Sequence, residues 1–267
     1  RALDKKAGHL FDISGSRVTV MPPDARHVDY NIIPLTIADG CLYKCRFCKV
    51  KNKNRFSVRS RQDIDRQIQE LKQLYQADII NYNALFLGEH DSFAAPADVI
   101  LDTARSAYDA FGFADSYMKD AFLFLFASVD SFMGADDRLF DRMAALPFKT
   151  FINIGLESND AATLSLLGKP ISPDQVTRAF SRIQALNDQY PAIELTCNFI
   201  MDETLPPTHY PSVMKLIRES QNRVRPKGCV YFSPLTFGQP SRRLLYEFYH
   251  LKSLSRLPTF LYLIQRL

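Results

Sequence analysis

Cys41-Leu42-Tyr43-Lys44-Cys45-Arg46-Phe47-Cys48 is the stretch that decides how this chain is read. Three thiols fall within eight residues, and Gly40 ahead of them supplies a turn. The other two cysteines, Cys197 and Cys229, stand alone. An odd count with three crowded together does not make a secreted disulfide framework and fits a metal site in a reducing compartment. Three thiolates in a short loop can bind three irons of a cubane, leaving the fourth iron without a protein ligand. That open position suits catalysis, whereas a closed four-cysteine cluster suits electron transfer. Structural zinc is the alternative, but it takes four ligands, usually with a second Cys or His pair farther on. Neither Cys197 nor Cys229 has a Cys or His at pair spacing.

Outward from this loop the chain alternates short apolar runs with amphipathic stretches. The apolar runs cover residues 31–37, 84–87, 121–127, 149–156, 193–201 and 229–235. They are apolar nearly throughout, as strands covered on both faces are. Between them, Ile64, Ile68, Leu71 and Tyr75 share one helical face, started by Ser60 as N-cap with Asp63 three residues on. Ser172-Pro173-Asp174-Gln175 starts a second helix, carried on by Val176, Phe180, Ile183 and Leu186. Weaker helical patterns cover 96–108, 137–145, 210–219 and 243–254. Such alternation predicts parallel βα units, in a doubly wound sheet or a barrel, with ligands at the carboxyl ends of the strands. Residues 1–30 read as an N-terminal extension, 31–240 as the core, and 241–267 as a helical and apolar segment packing on it.

Composition sets broad limits. Hydrophobic content of 46% and charged content of 23% are ordinary for a globular protein. A net charge of +4 suits an anionic substrate and is too weak to argue for nucleic acid. No apolar run reaches the roughly 18–20 residues of a membrane span. No signal-peptide pattern follows Arg1, so a cytoplasmic location is expected. The basic run of Lys44, Arg46, Lys49, Lys51, Lys53, Arg55, Arg59 and Arg61 can recruit an acidic substrate, an acidic electron donor or RNA, or be solvated loop surface.

The CxxxCxxC spacing after the first strand, with Phe47 before the last cysteine, resembles the radical S-adenosylmethionine (SAM) superfamily. The resemblance covers roughly residues 30–235 and implies an α/β fold, a partial (β/α)6 TIM-like barrel. It implies an oxygen-sensitive [4Fe–4S] cluster on Cys41, Cys45 and Cys48, with SAM bound beside it. It also implies a low-potential electron donor such as flavodoxin or ferredoxin. Leu87-Gly88-Glu89 resembles the segment that holds the methionyl amino group, with Leu87 where a first glycine is usual. Gly155-Leu156-Glu157-Ser158, followed by Lys169, resembles the segment whose acid meets the ribose hydroxyls. Ser158, Asn159 and Asp160 are equally good helix caps. Asn198 and Ile200 lie on the strand expected against adenine, and Ser128 is either a cofactor contact or a cap. His90 and Asp91 are candidates for proton transfer, and His209 is either a site residue or a structural one. Tyr43, Phe47 and Phe86 are expected as apolar surroundings of the cluster. Without a second cysteine group, no auxiliary cluster is expected. The competing expectations are an iron–sulfur carrier or sensor and a zinc-stabilised nucleic-acid-binding protein.

Overall fold

The computed structural model describes residues 2–15, 20–27, 31–48, 55–88, 90–219, 227–235 and 239–263. Seven strands form one all-parallel sheet: β1 (Ile32–Thr36), β4 (Ala84–Gly88), β5 (Phe122–Ala127), β6 (Lys149–Glu157), β7 (Ile193–Met201), β8 (Val230–Pro234) and β9 (Thr259–Leu261). They lie side by side in chain order. A two-stranded antiparallel ribbon, β2 (Ala38–Asp39) with β3 (Ser57–Val58), brackets the cysteine loop. The helices are α1 (Ala2–Ser14), α2 (Arg61–Tyr75), α3 (Ala97–Phe111), α4 (Val129–Gly134), α5 (Asp137–Ala144), α6 (Ala161–Leu167), α7 (Pro173–Gln189), α8 (His209–Glu219) and α9 (Arg242–Leu254). The fold is α/β, as a partial TIM-like barrel requires.

The six apolar runs become β1 and β4 to β8 because each strand buries both faces. Leu85, Leu87, Leu123, Leu125, Ile152 and Ile154 pack outward against Ile64, Ile68, Ile100, Val176 and Phe180 of the helices. The alternate residues Ala84, Phe86, Phe124 and Phe151 meet Ala25 and Ile32 in a separate inner cluster. Phe86 belongs to this inner aromatic cluster, with Phe126 and Phe124 as neighbours, and its ring lies against Gly88 at the end of β4. Two predicted starts are realised. Ser60 accepts the Asp63 N–H, and Ser172 forms a full capping box with Gln175.

Residues outside the expected core also contribute. Helix α1 packs against α2 and β1, and a 3₁₀ turn at Pro23–His27 reaches into the barrel. There the fully buried Asp24 carboxylate accepts hydrogen bonds from Thr196 Oγ1 and Tyr231 Oη, both at 2.8 Å. The network continues upward. Asn153 Nδ2 donates to Thr196 Oγ1 at 2.8 Å, and Asn198 Nδ2 donates to Asn153 Oδ1 at 2.6 Å. One directional chain thus ties the turn to β6, β7 and β8. A buried carboxylate is tolerated only when hydrogen-bonded, so these hydroxyls fix where the turn sits.

Tyr231→Phe removes one donor to Asp24 and is expected to destabilise the fold by about 1.5–3 kcal/mol, the usual worth of a bond to a charged group. Thermal melting checks this. A melting temperature equal to the parent's would mean that the hydroxyl adds nothing to holding Asp24.

Candidate active site

Parallel pairing sets the carboxyl ends of β1, β4, β5, β6, β7 and β8 on one rim. The cysteine loop leaves that rim just after β1. Its base is clamped by Arg59, whose Nε and Nη2 donate to both carboxylate oxygens of Asp39 at 2.8 Å. Arg59 Nη2 also donates to the Ser14 carbonyl. Arg59 is therefore a structural tie and no recruiting cation, which corrects that part of the basic-run expectation. Arg61 likewise pairs with Asp65. Lys44, Arg46 and Arg55 are exposed, while Lys49, Lys51 and Lys53 lie outside the described residues.

Cys41, Cys45 and Cys48 are free and half-buried, and each lies within electrostatic reach of the other two. Burial pushes the Cys45 thiol up to about 11 and raises that of Cys41 as well. Neutral thiols are thus favoured until a cation displaces their protons. Among the described residues no three His, Cys, Asp or Glu side chains converge tightly enough to share a single metal ion. A cubane asks for something different, since each thiolate binds its own iron at a separate corner. Phe47 is half-buried beside Cys48.

The β4 end provides Gly88, opposite Thr36 of β1. Glu89 lies outside the described residues. His90 is half-buried and its basicity is lowered by burial. Asp91 is 1% exposed, and its Oδ1 accepts the Ser128 N–H at 2.9 Å and the Ser131 hydroxyl at 2.6 Å. It ties the end of β4 to the start of α4. Its Oδ2 is buried with no protein partner among the described residues. Ser128 is the N-cap of α4, accepting the Ser131 N–H.

The β6 end is where the backbone departs from regular geometry. The register slips between Gly155 and Glu157, and Glu157 takes a φ of 66°. This bulge folds the Glu157 carboxylate back over Gly155, where a β-carbon would stand only 2.6 Å from its Oε1. A side chain at residue 155 would therefore displace the carboxylate. Lys169, 7% exposed, meets Glu157 Oε1 at 3.2 Å and the Gly155 carbonyl at 2.6 Å. It also lies 5.4 Å from the centre of the Tyr43 ring. In sequence Lys169 was only the cation following the Glu157 segment, and nothing there paired it with that acid.

Ser158 was expected as a cofactor contact or a helix cap, and its hydroxyl accepts the Asp160 N–H at 3.0 Å ahead of α6. It is fully buried and bonds to His209 Nδ1 at 2.8 Å, while His209 Nε2 bonds to the Ile200 carbonyl at 3.0 Å. A carbonyl can only accept, so Nε2 carries the proton and Nδ1 accepts from the Ser158 hydroxyl. His209 is thus a structural bridge from β7 to the β6 loop. Asp160 caps α6. Ile200 is 1% exposed with its carbonyl engaged by His209, whereas half-buried Asn198 faces inward with Asn153.

These features suit an iron–sulfur cluster with an amino-acid-bearing cofactor beside it. Three thiols are available as ligands, the buried Asp91 Oδ2 has no partner among the described residues, and the Gly155 bulge presents a carboxylate at the rim.

Lys169→Met is expected to cost about 3 kcal/mol in urea unfolding by leaving the Glu157 carboxylate without its cation. Adding Glu157→Gln should restore part of that loss, and a double variant no more stable than the single would contradict the pairing. Burial holds His209 below its ordinary value of 6.5, so the unfolded chain takes up a proton there first. Stability is then expected to fall as pH drops below about 6.5, and His209→Gln should flatten the fall, with half-buried His90 adding to what remains. An unchanged slope would contradict the bridge.

A sequence model of the radical SAM superfamily matches residues 35–201, more than half of the chain. No curated protein gives a significant match. Among solved structures, a radical SAM methyltransferase from Sphaerobacter thermophilus superposes with a TM-score of 0.60 at 13% identity, over 87% of this chain and 66% of its own. The cobalamin-dependent S-adenosylmethionine radical enzyme OxsB, with aqua-cobalamin and S-adenosylmethionine bound, gives a TM-score of 0.51 at 18% identity, over 84% of this chain and 31% of that one. With aqua-cobalamin alone it gives 0.50 at 19% identity, over 80% and 29%. The chain thus spans just under two thirds of the first relative and under a third of OxsB, and at these identities the likeness speaks for the fold. The sequence match carries the assignment: the chain belongs to the radical SAM superfamily.

Proposed function

We propose that this enzyme holds a [4Fe–4S] cluster on Cys41, Cys45 and Cys48 and uses it to cleave SAM reductively, acting on an unidentified organic substrate at the barrel mouth. The observation that carries the reading is the triad of thiols on the same rim as the Gly155–Glu157 bulge. A cluster held there would supply the one electron that breaks the sulfonium carbon–sulfur bond of SAM, giving methionine and a radical able to take a hydrogen atom from the substrate.

The chain's own part is holding, orienting and excluding water. The three thiolates fix the cluster and leave one iron open. Gly88 and Glu89 serve the methionyl amino group, joined by the buried Oδ2 of Asp91, which has no partner among the described residues and so suits a cationic ligand. Glu157, steered by Lys169, accepts from the ribose hydroxyls, because a diol offers two donors to one carboxylate. Phe47, Ser128 and the inward face of Asn198 and Ile200 line the remaining cofactor surface. His90 is the proton carrier of the rim, while Asp91 braces the start of α4. The exposed Leu42, Lys44 and Arg46 offer an acidic flavodoxin or ferredoxin a landing surface in the cytoplasm. Half-buried Asn198 is the upper end of the inward polar network, so the mouth suits a substrate that forms hydrogen bonds, anionic or neutral.

Anaerobic reconstitution followed by reduction with SAM present tests this reading through 5′-deoxyadenosine. Cys45→Ala is expected to lose both the cluster and the nucleoside. Cys197→Ala should keep both, since that thiol is buried in the core. A full four-iron cluster in Cys45→Ala would overturn the ligand assignment. A loaded, reduced parent that neither binds SAM nor yields 5′-deoxyadenosine would overturn the reaction.

A further inference from the structure

The last turn of α6 reaches the cysteine loop. A helix leaves its last four carbonyls without partners, here those of Leu164, Ser165, Leu166 and Leu167. Gly168, left-handed at φ 62°, turns the chain so that its own N–H meets the Leu164 and Ser165 carbonyls. The Lys169 N–H returns to Leu164 at 3.0 Å, closing a Schellman turn. The Leu167 carbonyl falls outside this closure. It accepts the backbone N–H of Arg46 at 2.8 Å, and Arg46 lies between Cys45 and Cys48.

The side chain follows the backbone onto the same turn. A β-carbon at Gly168 would stand 2.9 Å from Arg46 Cγ and 3.1 Å from its Nε. Glycine is thus needed twice, for its backbone angle and for the bare surface under Arg46. The front of the loop is held separately. Tyr43 packs beneath Lys169, and its hydroxyl accepts the Asp130 N–H at 3.0 Å.

We propose that the Leu167-Gly168-Lys169 turn is the seat of the cysteine loop, and that Gly168 and Arg46 are positioning residues that set the thiols before any metal arrives. The proposal rests on the reading of the three cysteines as cluster ligands. A loop ordered in advance loses less conformational freedom when the cluster binds, so the seat raises retention of the cluster without touching it. It also links the loop to Glu157 through Lys169, so the thiols and the rim carboxylate keep a fixed spacing.

Gly168→Asn tests this, because asparagine accepts the left-handed angle yet fills the space under Arg46. Two readouts are taken on the full chain: hydrogen exchange of peptides covering residues 42–48 without metal, and release of the reconstituted cluster to a chelator. Gly168→Asn is expected to exchange faster and to release iron roughly five- to tenfold faster, the equivalent of one lost hydrogen bond. Arg46→Ala keeps the N–H and should stay near the parent. Arg46→Ala combined with Gly168→Asn should return both readouts toward the parent, which a general loss of stability would not do.

Parent-like exchange and release in Gly168→Asn would overturn the seat, as would a double variant no better than the single. A parent that takes up no iron–sulfur cluster would overturn the functional reading instead, and exchange alone would then judge the seat. If circular dichroism shows that Gly168→Asn does not fold, Arg46→Pro, which lacks the donated N–H, is compared with the parent on the same two readouts and the same outcomes.

Discussion

All-parallel strand pairing is the constraint on which the rest of this structure depends. Parallel neighbours cannot be joined by a tight turn, so each connection crosses back over the sheet and the next strand starts from the same end. With the seven strands of this sheet in chain order, the loop after each of them opens onto one rim. The cysteine loop, the Gly88 end, Asp91 and the Glu157 bulge are neighbours for that reason alone. Sequence distance is irrelevant to it, as Cys41 and Glu157 are separated by more than a hundred residues.

Within that frame, two irregularities of the backbone shape the site. At Glu157 a slip in register and a left-handed residue turn a carboxylate back over a glycine, and a buried lysine holds it there. At Gly168 another left-handed residue ends α6 and leaves a carbonyl for the cysteine loop. Lys169 belongs to both, because its backbone closes the turn while its side chain reaches the bulge. The cysteine loop, the Glu157 carboxylate and the end of α6 are therefore mechanically connected. Below them, the network from Asn198 to Asp24 fixes the barrel floor with hydroxyl and amide bonds.

The strands and the metal loop were legible because each has a local signature. Runs such as 193–201 are apolar on both faces, and three cysteines in eight residues admit few readings. Helix α1 was not legible, since its sequence ALDKKAGHLFDIS carries only a weak apolar face and gains stability from packing on α2. Strand β9 is three residues long, too short for any period to appear. The bond from Ser158 to His209 has no sequence signal, because the slip in register beside it exchanges inward and outward faces. In sequence Lys169 is only the cation after the Glu157 segment and Arg46 one member of the basic run, because a turn geometry, not a motif, brings them together. The basic run shows the same limit: Arg59 is indistinguishable in sequence from its neighbours, yet it clamps Asp39 in the bidentate manner of a structural arginine.

The central claim is that three thiolates leave one iron open to SAM. Mössbauer spectroscopy of the ⁵⁷Fe-reconstituted chain, recorded with and without SAM, tests it most directly. The expected result is a [4Fe–4S] cluster in which a single iron changes its parameters when SAM is added. A cluster whose irons are all unaffected by saturating SAM, or a chain that takes up zinc and no cubane, would contradict the account.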